Sequence, residues 1–120
     1  MYSYRELDVY KISMDLVLDV YAETRKFPQN EVYGLISQMR RCAVSIPSNI
    51  AEGSGRHSTK EFINFLYLSN ASLSELETQL EISRRLGYQH DYEKISRGIS
   101  RVRVMLNNLI RSLNEKINKQ

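Results

Sequence analysis

At 120 residues and 14.0 kDa the chain is sized for one domain with one hydrophobic core. Hydrophobic residues at 42% and charged residues at 26% are ordinary globular values, which argues against a disordered tail or a membrane protein. Seventeen Lys and Arg against fourteen Asp and Glu leave a net charge of +3 and a pI near 9.1, which admits a nucleic-acid partner without requiring one. No stretch approaches the roughly 18 uncharged apolar residues of a membrane span. The amino-terminal run MYSYRELDVYK lacks the apolar core of a signal peptide, so a cytoplasmic protein without membrane association is expected. A single cysteine, Cys42, leaves nothing for an internal disulfide. With only His57 and His90 beside it, neither a metal nor a cofactor is expected.

Pro28, the cluster Gly53-Ser54-Gly55 and the stretch from Gly87 to His90 divide the chain into four segments, at about 6–27, 31–52, 58–86 and 91–117. Each carries apolar residues at helical spacing. The first aligns Leu7, Tyr10, Met14, Val17, Leu18, Tyr21 and Thr24 on one face, with Val9, Leu16, Val20 and Phe27 on its flank. The second aligns Val32, Leu35, Ile36, Met39, Cys42, Ala43, Ile46 and Ile50, with Gln38, Arg41, Ser45, Ser48 and Glu52 opposite. In the third, Phe62, Leu66, Ser69, Leu73, Leu76, Leu80 and Ser83 repeat with alternating steps of four and three, a heptad seam. The fourth collects Ile95, Ile99, Val102, Leu106, Leu109, Ile110, Leu113 and Ile117.

Helix-end signals agree with this division. Ser58 followed by Glu61 forms a capping box, and Asn30 and Asp91 suit the N-caps of the second and fourth helices. Gly53 and Gly87 fall where a left-handed C-terminal residue is wanted. Short connections force neighbouring helices antiparallel. The predicted fold is therefore all-α, an up-down-up-down four-helix bundle whose second helix is bent by Pro47, with apolar phase kept across the bend. Around that bend lie Arg41, Ser45, Ser48, Asn49 and Glu52, which either satisfy freed helix carbonyls or face a partner. The first helix is apolar over more than half its circumference, and the third adds a second row at Leu68, Ile82 and Leu86. One copy of a bundle buries a narrower stripe than this, so self-association is expected.

The runs Leu7-Asp8-Val9-Tyr10, Phe27-Pro28, Gln38-Met39-Arg40-Arg41, Ser45-Ile46-Pro47-Ser48-Asn49-Ile50-Ala51-Glu52-Gly53 and Phe65-Leu66 carry a resemblance in their order and spacing. They resemble the bacterial four-helix bundle proteins encoded in intervening sequences of large-subunit ribosomal RNA genes. The likeness covers nearly the whole chain, and its most specific part is the run around Pro47. Accessory proteins of diversity-generating retroelements share this fold and look like basic homopentameric barrels that bind nucleic acid and a reverse transcriptase. The resemblance implies a non-catalytic, homo-oligomeric, pentameric helical protein with a nucleic-acid role. One departure lies at Asn70-Ala71-Ser72, where a glycine often precedes the serine.

Nothing in the residues favours an enzyme. Cys42 falls on an apolar face and each histidine falls in a turn, without an obvious partner. His57, Ser58 and Glu61 can be drawn as a triad, but the capping box already accounts for the last two. Gly53-Ser54-Gly55-Arg56 before a helix start has the outline of a phosphate cradle, yet the Walker spacing is absent. Charge is the better signal. From Arg84 to Gln120 nine basic residues face three acids, so this third carries +6 and the remainder −3.

Lys94, Arg97, Arg101 and Arg111 share one side of the fourth helix, while Asp8, Asp15, Asp19 and Glu23 make an acidic strip on the first. Two functions follow. In one, Arg97, Arg101, Arg103 and Arg111, helped by Lys94 and Arg56, contact the phosphates of RNA or DNA, and the ridge is multiplied around an oligomer. In the other, the face around Arg41, Ser45, Ser48, Asn49 and Glu52 docks a second protein, and the chain is a scaffold. The acidic and basic strips alternatively meet between subunits and fix their register.

Overall fold

The computed structural model describes residues 3–119 and contains four α-helices: α1 (Asp8–Thr24), α2 (Leu35–Ser54), α3 (Thr59–Arg85) and α4 (Tyr92–Asn118). Contacts run α1–α2, α2–α3, α3–α4 and back from α4 to α1, so the bundle closes in the order expected of an up-down topology. It is a rod of 52 × 20 × 19 Å, of which α3 and α4, of 27 residues each, span about 40 Å at about 1.5 Å per residue. No described helix is long and apolar enough to cross a membrane.

The core is a column of aliphatic side chains. The heptad seam of α3 is buried from Leu66 to Ser83, and α4 supplies Ile95, Ile99, Val102, Leu106 and Ile110. Besides Glu23 and Gln79 near its edge, the buried polar residues are small hydroxyls that bond to helix carbonyls. Ser13 donates to Tyr10, Thr24 to Val20, Ser83 to Leu80, and Ser69 crosses to the Ile46 carbonyl at 2.9 Å.

In α1 the buried stripe is Val9, Ser13, Leu16, Val20 and Thr24, continued by Phe27. Val9, Leu16, Val20 and Phe27 are the row expected on the flank, whereas of the row expected to lead only Thr24 is buried, Met14 being 39% and Leu18 65% exposed. Two apolar stripes lie side by side on this helix, and the placement of α2 and α4 selects between them.

The connections depart from expectation at one point. α1 ends at Thr24, and residues 25–34 include a 3-10 turn at Gln29–Glu31, so α2 begins at Leu35 and not near residue 31. Asn30 is therefore no N-cap. Gly34 holds that position, and the Glu31 carboxylate replaces a cap by accepting the Leu35 N–H at 3.2 Å.

The other ends follow the sequence signals more closely. Ser58 accepts the Glu61 N–H, Asp91 accepts the Lys94 N–H, and Gly87 takes φ +78° after α3. Gly53 behaves otherwise. It is a helical residue, buried against α3, where a Cβ would lie 2.5 Å from the Cβ of Phe65. Its lack of a side chain serves the approach of two helices and not a turn.

At the α3–α4 end, Glu23 ties the end of α1 to the start of α4. Its Oε1 accepts the Asp91 N–H at 2.6 Å and pairs with Lys26 at 2.9 Å. Burial alone would push this carboxyl up, but the Lys26 ammonium, the Asp91 N–H and Lys94 together hold it below the usual carboxylate range. His90 is structural in the same corner, with Nδ1 2.6 Å from the Tyr88 carbonyl and its ring edge-on to Phe27.

Candidate nucleic-acid interface

The run around Pro47 lies within one uninterrupted helix, α2, which makes its most extensive contact with α3. Proline removes the N–H that would bond to the Ala43 carbonyl. Around Pro47, side chains add donors to neighbouring carbonyls: Ser45 to Cys42 at 2.6 Å, Ser48 to Val44 at 2.8 Å, and Asn49 to Ser45 at 2.8 Å. The Ser45 hydroxyl also sits 2.6 Å from that of Ser72, so the helices meet closely beside Ala71 without the glycine common at that place.

The remaining residues of the expected docking face are occupied too. Glu52 pairs with Arg56 at 2.8 Å, and Arg41 bonds to the Ser37 hydroxyl at 3.3 Å. Each of Arg41, Ser45, Ser48, Asn49 and Glu52 thus has a partner within its own helix or the turn after it, with Arg41, Ser48 and Glu52 exposed.

Cys42 belongs to the same seam. Its thiol lies 3.0 Å from the Ser72 carbonyl and 3.3 Å from a Glu75 oxygen. Burial, followed by the adjacent Glu75 carboxylate, pushes it up to about 12, so it stays a protonated donor.

The basic residues divide by the side of α4 they occupy. Lys94 turns toward α1 and meets Asp19 at 3.4 Å, and Arg103 turns toward α3, pairing with Glu77 at 3.3 Å and reaching Ser74. The acidic strip therefore meets the basic one within a single chain. Among the described residues it does so through one ion pair, Lys94 with Asp19, with Lys94 also acting on the buried Glu23 at longer range.

Arg56 lies away from α4's outer side, in the α2–α3 turn, with its guanidinium 4.7 Å over the Phe65 ring. Arg97, Arg101 and Arg111 are exposed on the outward side of α4, and no ion pair engages them among the described residues. Helical spacing sets Arg97 and Arg101 about 6 Å apart along the axis and Arg111 about 15 Å further on. Val104, 58% exposed, lies between them. Of the six basic positions expected to bind phosphate, three form one open face, two brace neighbouring helices, and one is at the bundle's end.

Residues 5–108 match the model of the 23S rRNA-intervening sequence protein family. The chain belongs to that family. Its fold is similar to the crystal structure of a protein of unknown function from the S23 ribosomal protein family of Bacteroides thetaiotaomicron. That likeness has a TM-score of 0.75 at 24% identity and covers 85% of this chain and 97% of the other. At this identity the similarity speaks for the fold alone. No curated protein matches the chain.

The apolar face of the second helix placed Cys42 inward, as found, but the inward engagement of Ser45 was not foreseen. The signal available was the small-residue pairing of Ser45 with Ser72, which helical phase places on facing sides only once the α2–α3 register is known.

Proposed function

We propose that the chain is a non-catalytic bundle that assembles into a ring, pentameric as its relatives in fold imply, and holds the backbone of RNA or DNA on the outward face of α4. The carrying observation is that Arg97, Arg101 and Arg111 project from one helix side free of ion pairs among the described residues. Such guanidiniums are not offset by neighbouring acids, and each phosphate they neutralise releases counterions. Three contacts per copy are weak, and repetition around a ring multiplies them.

Self-association is supported by two separate apolar faces. A groove of about 300 Å³ between α1 and α2 is lined by Tyr10, Met14, Val17, Val44, Pro47 and Ala51. The outer side of α3 exposes Leu68, Ile82 and Leu86. Because the two faces are on different helices, one copy's groove can receive the next copy's row, the head-to-tail kind of contact from which rings are built when the rotation between copies closes.

The test is retention of structured RNA and duplex DNA at low and moderate salt, comparing wild type with Arg97→Glu, Arg101→Glu. Binding by wild type that fades steeply with salt and is lost in the variant is the expected result. Absence of binding at low salt removes the proposal, and partner binding indifferent to salt points to the scaffold instead. Light scattering on wild type and on Met14→Glu, Val44→Glu checks the ring, which the charges should dissociate.

A further inference from the structure

At the end of the bundle where the α2–α3 turn, the amino-terminal residues before α1 and the last turns of α4 converge, there is a cavity of about 370 Å³. This is within the range of small-ligand sites and far too small for a duplex. Its cationic and imidazole lining comes from separate elements: Arg56 and His57 from the turn and Lys116 from α4. Its apolar walls include the rings of Tyr4 and Phe62. Tyr4 is held by an edge-on contact with Tyr10 at 5.1 Å and carries the Arg5 guanidinium 4.9 Å over one face of its ring, leaving the other face for a ligand, and Arg56 is held by Glu52 and the Phe65 ring. The Arg56 charge is partly offset by Glu52, whereas His57 and Lys116 have neither an ion pair nor a hydrogen bond among the described residues.

Two aromatic faces beside a group of cations is the chemistry that accepts one base and one phosphate together. The outward arginines of α4 lead toward this end, Arg111 lying five residues, about 7–8 Å of helix, before Lys116.

We infer that this cavity takes a single nucleoside phosphate, supplied by an unpaired nucleotide at the end of a strand whose backbone lies on α4. This deepens the function proposed above and rests on it for the strand. The cavity's own affinity for a nucleoside phosphate is separable from it.

Three arms separate the possibilities. In the first, the full chain is titrated at low salt with a nucleoside monophosphate while the ring resonances of His57 and Phe62 are followed by NMR. Saturable shifts are expected at both rings, and the Phe62 shifts should disappear in His57→Ala, Lys116→Ala. In the second, a duplex with a single-stranded overhang is compared with a blunt duplex of the same paired length. Wild type should prefer the overhang about tenfold, and the cavity variant should lose that preference while retaining the blunt duplex.

In the third, Arg97→Glu, Arg101→Glu should lose both duplexes yet keep the mononucleotide shifts. Thermal melting of both variants confirms that each is folded. Mononucleotide shifts without an overhang preference assign the cavity to a free nucleotide and overturn the strand-end source. No shift and no overhang preference overturn the inference entirely, even if blunt duplex is bound. Shifts without retention of any duplex leave the cavity site standing and sink the proposed backbone binding.

Discussion

The α2–α3 seam and the outward side of α4 differ in how they use polar residues. In the seam, Ser45, Asn49, Cys42, Ser69 and Ser72 satisfy one another or the carbonyls around Pro47, and almost nothing is left for a partner. On α4, Arg97, Arg101 and Arg111 are set in an otherwise unremarked surface with their donors unspent. The most recognisable stretch of sequence is thus the one that builds the bundle, and the proposed binding side chains come from the least distinctive helix. A rare residue order signals a demanding local geometry, whereas a phosphate contact demands only charge at roughly the right spacing.

This contrast can be broken from the seam outward. Leu66 is fully buried on the α3 seam, so Leu66→Ala should cost about 2–5 kcal/mol in urea unfolding, and a loss below about 1 kcal/mol would mean that the seam is not close-packed. Gly53→Ala should follow with about 1–3 kcal/mol, because its Cβ must push apart the backbones at Phe65. An unchanged midpoint would show that α2 and α3 are further apart than described.

Glu23→Gln removes a charged acceptor of the Asp91 N–H and should cost about 1–2 kcal/mol at neutral pH. Since the Glu23 carboxyl is held below its usual range, its stabilisation is present above the ordinary carboxylate titration and is lost as pH falls through its lowered value. Wild-type and variant melting temperatures should therefore converge in acid, and a gap independent of pH would assign the loss to packing. The smallest effect on folding is expected at Arg97→Glu, Arg101→Glu, within about 0.5 kcal/mol, since both side chains are exposed. A large loss there would place them in a structural role like that of Arg103.

Periodicity made much of the fold legible. The seams of α3 and α4, the caps at Ser58 and Asp91 and the left-handed Gly87 depend on residues within a few positions of one another, and the chain specifies them locally. The candidate site was legible only as a set of cations. Lys94, Arg97, Arg101 and Arg111 share a helix side, but whether a given cation meets an acid depends on which helix flanks it.

The amino-acid sequence by itself determined four helices, their order and their antiparallel connection, because each follows from turn chemistry and short-range spacing. Tertiary structure alone decided which of two apolar stripes of α1 is buried, that α2 begins at Leu35, that Gly53 permits contact with Phe65, and that three of six basic residues remain open. These outcomes depend on the rotation and register of one helix against another. Residues far apart in the chain set that geometry together, and no single helix encodes it.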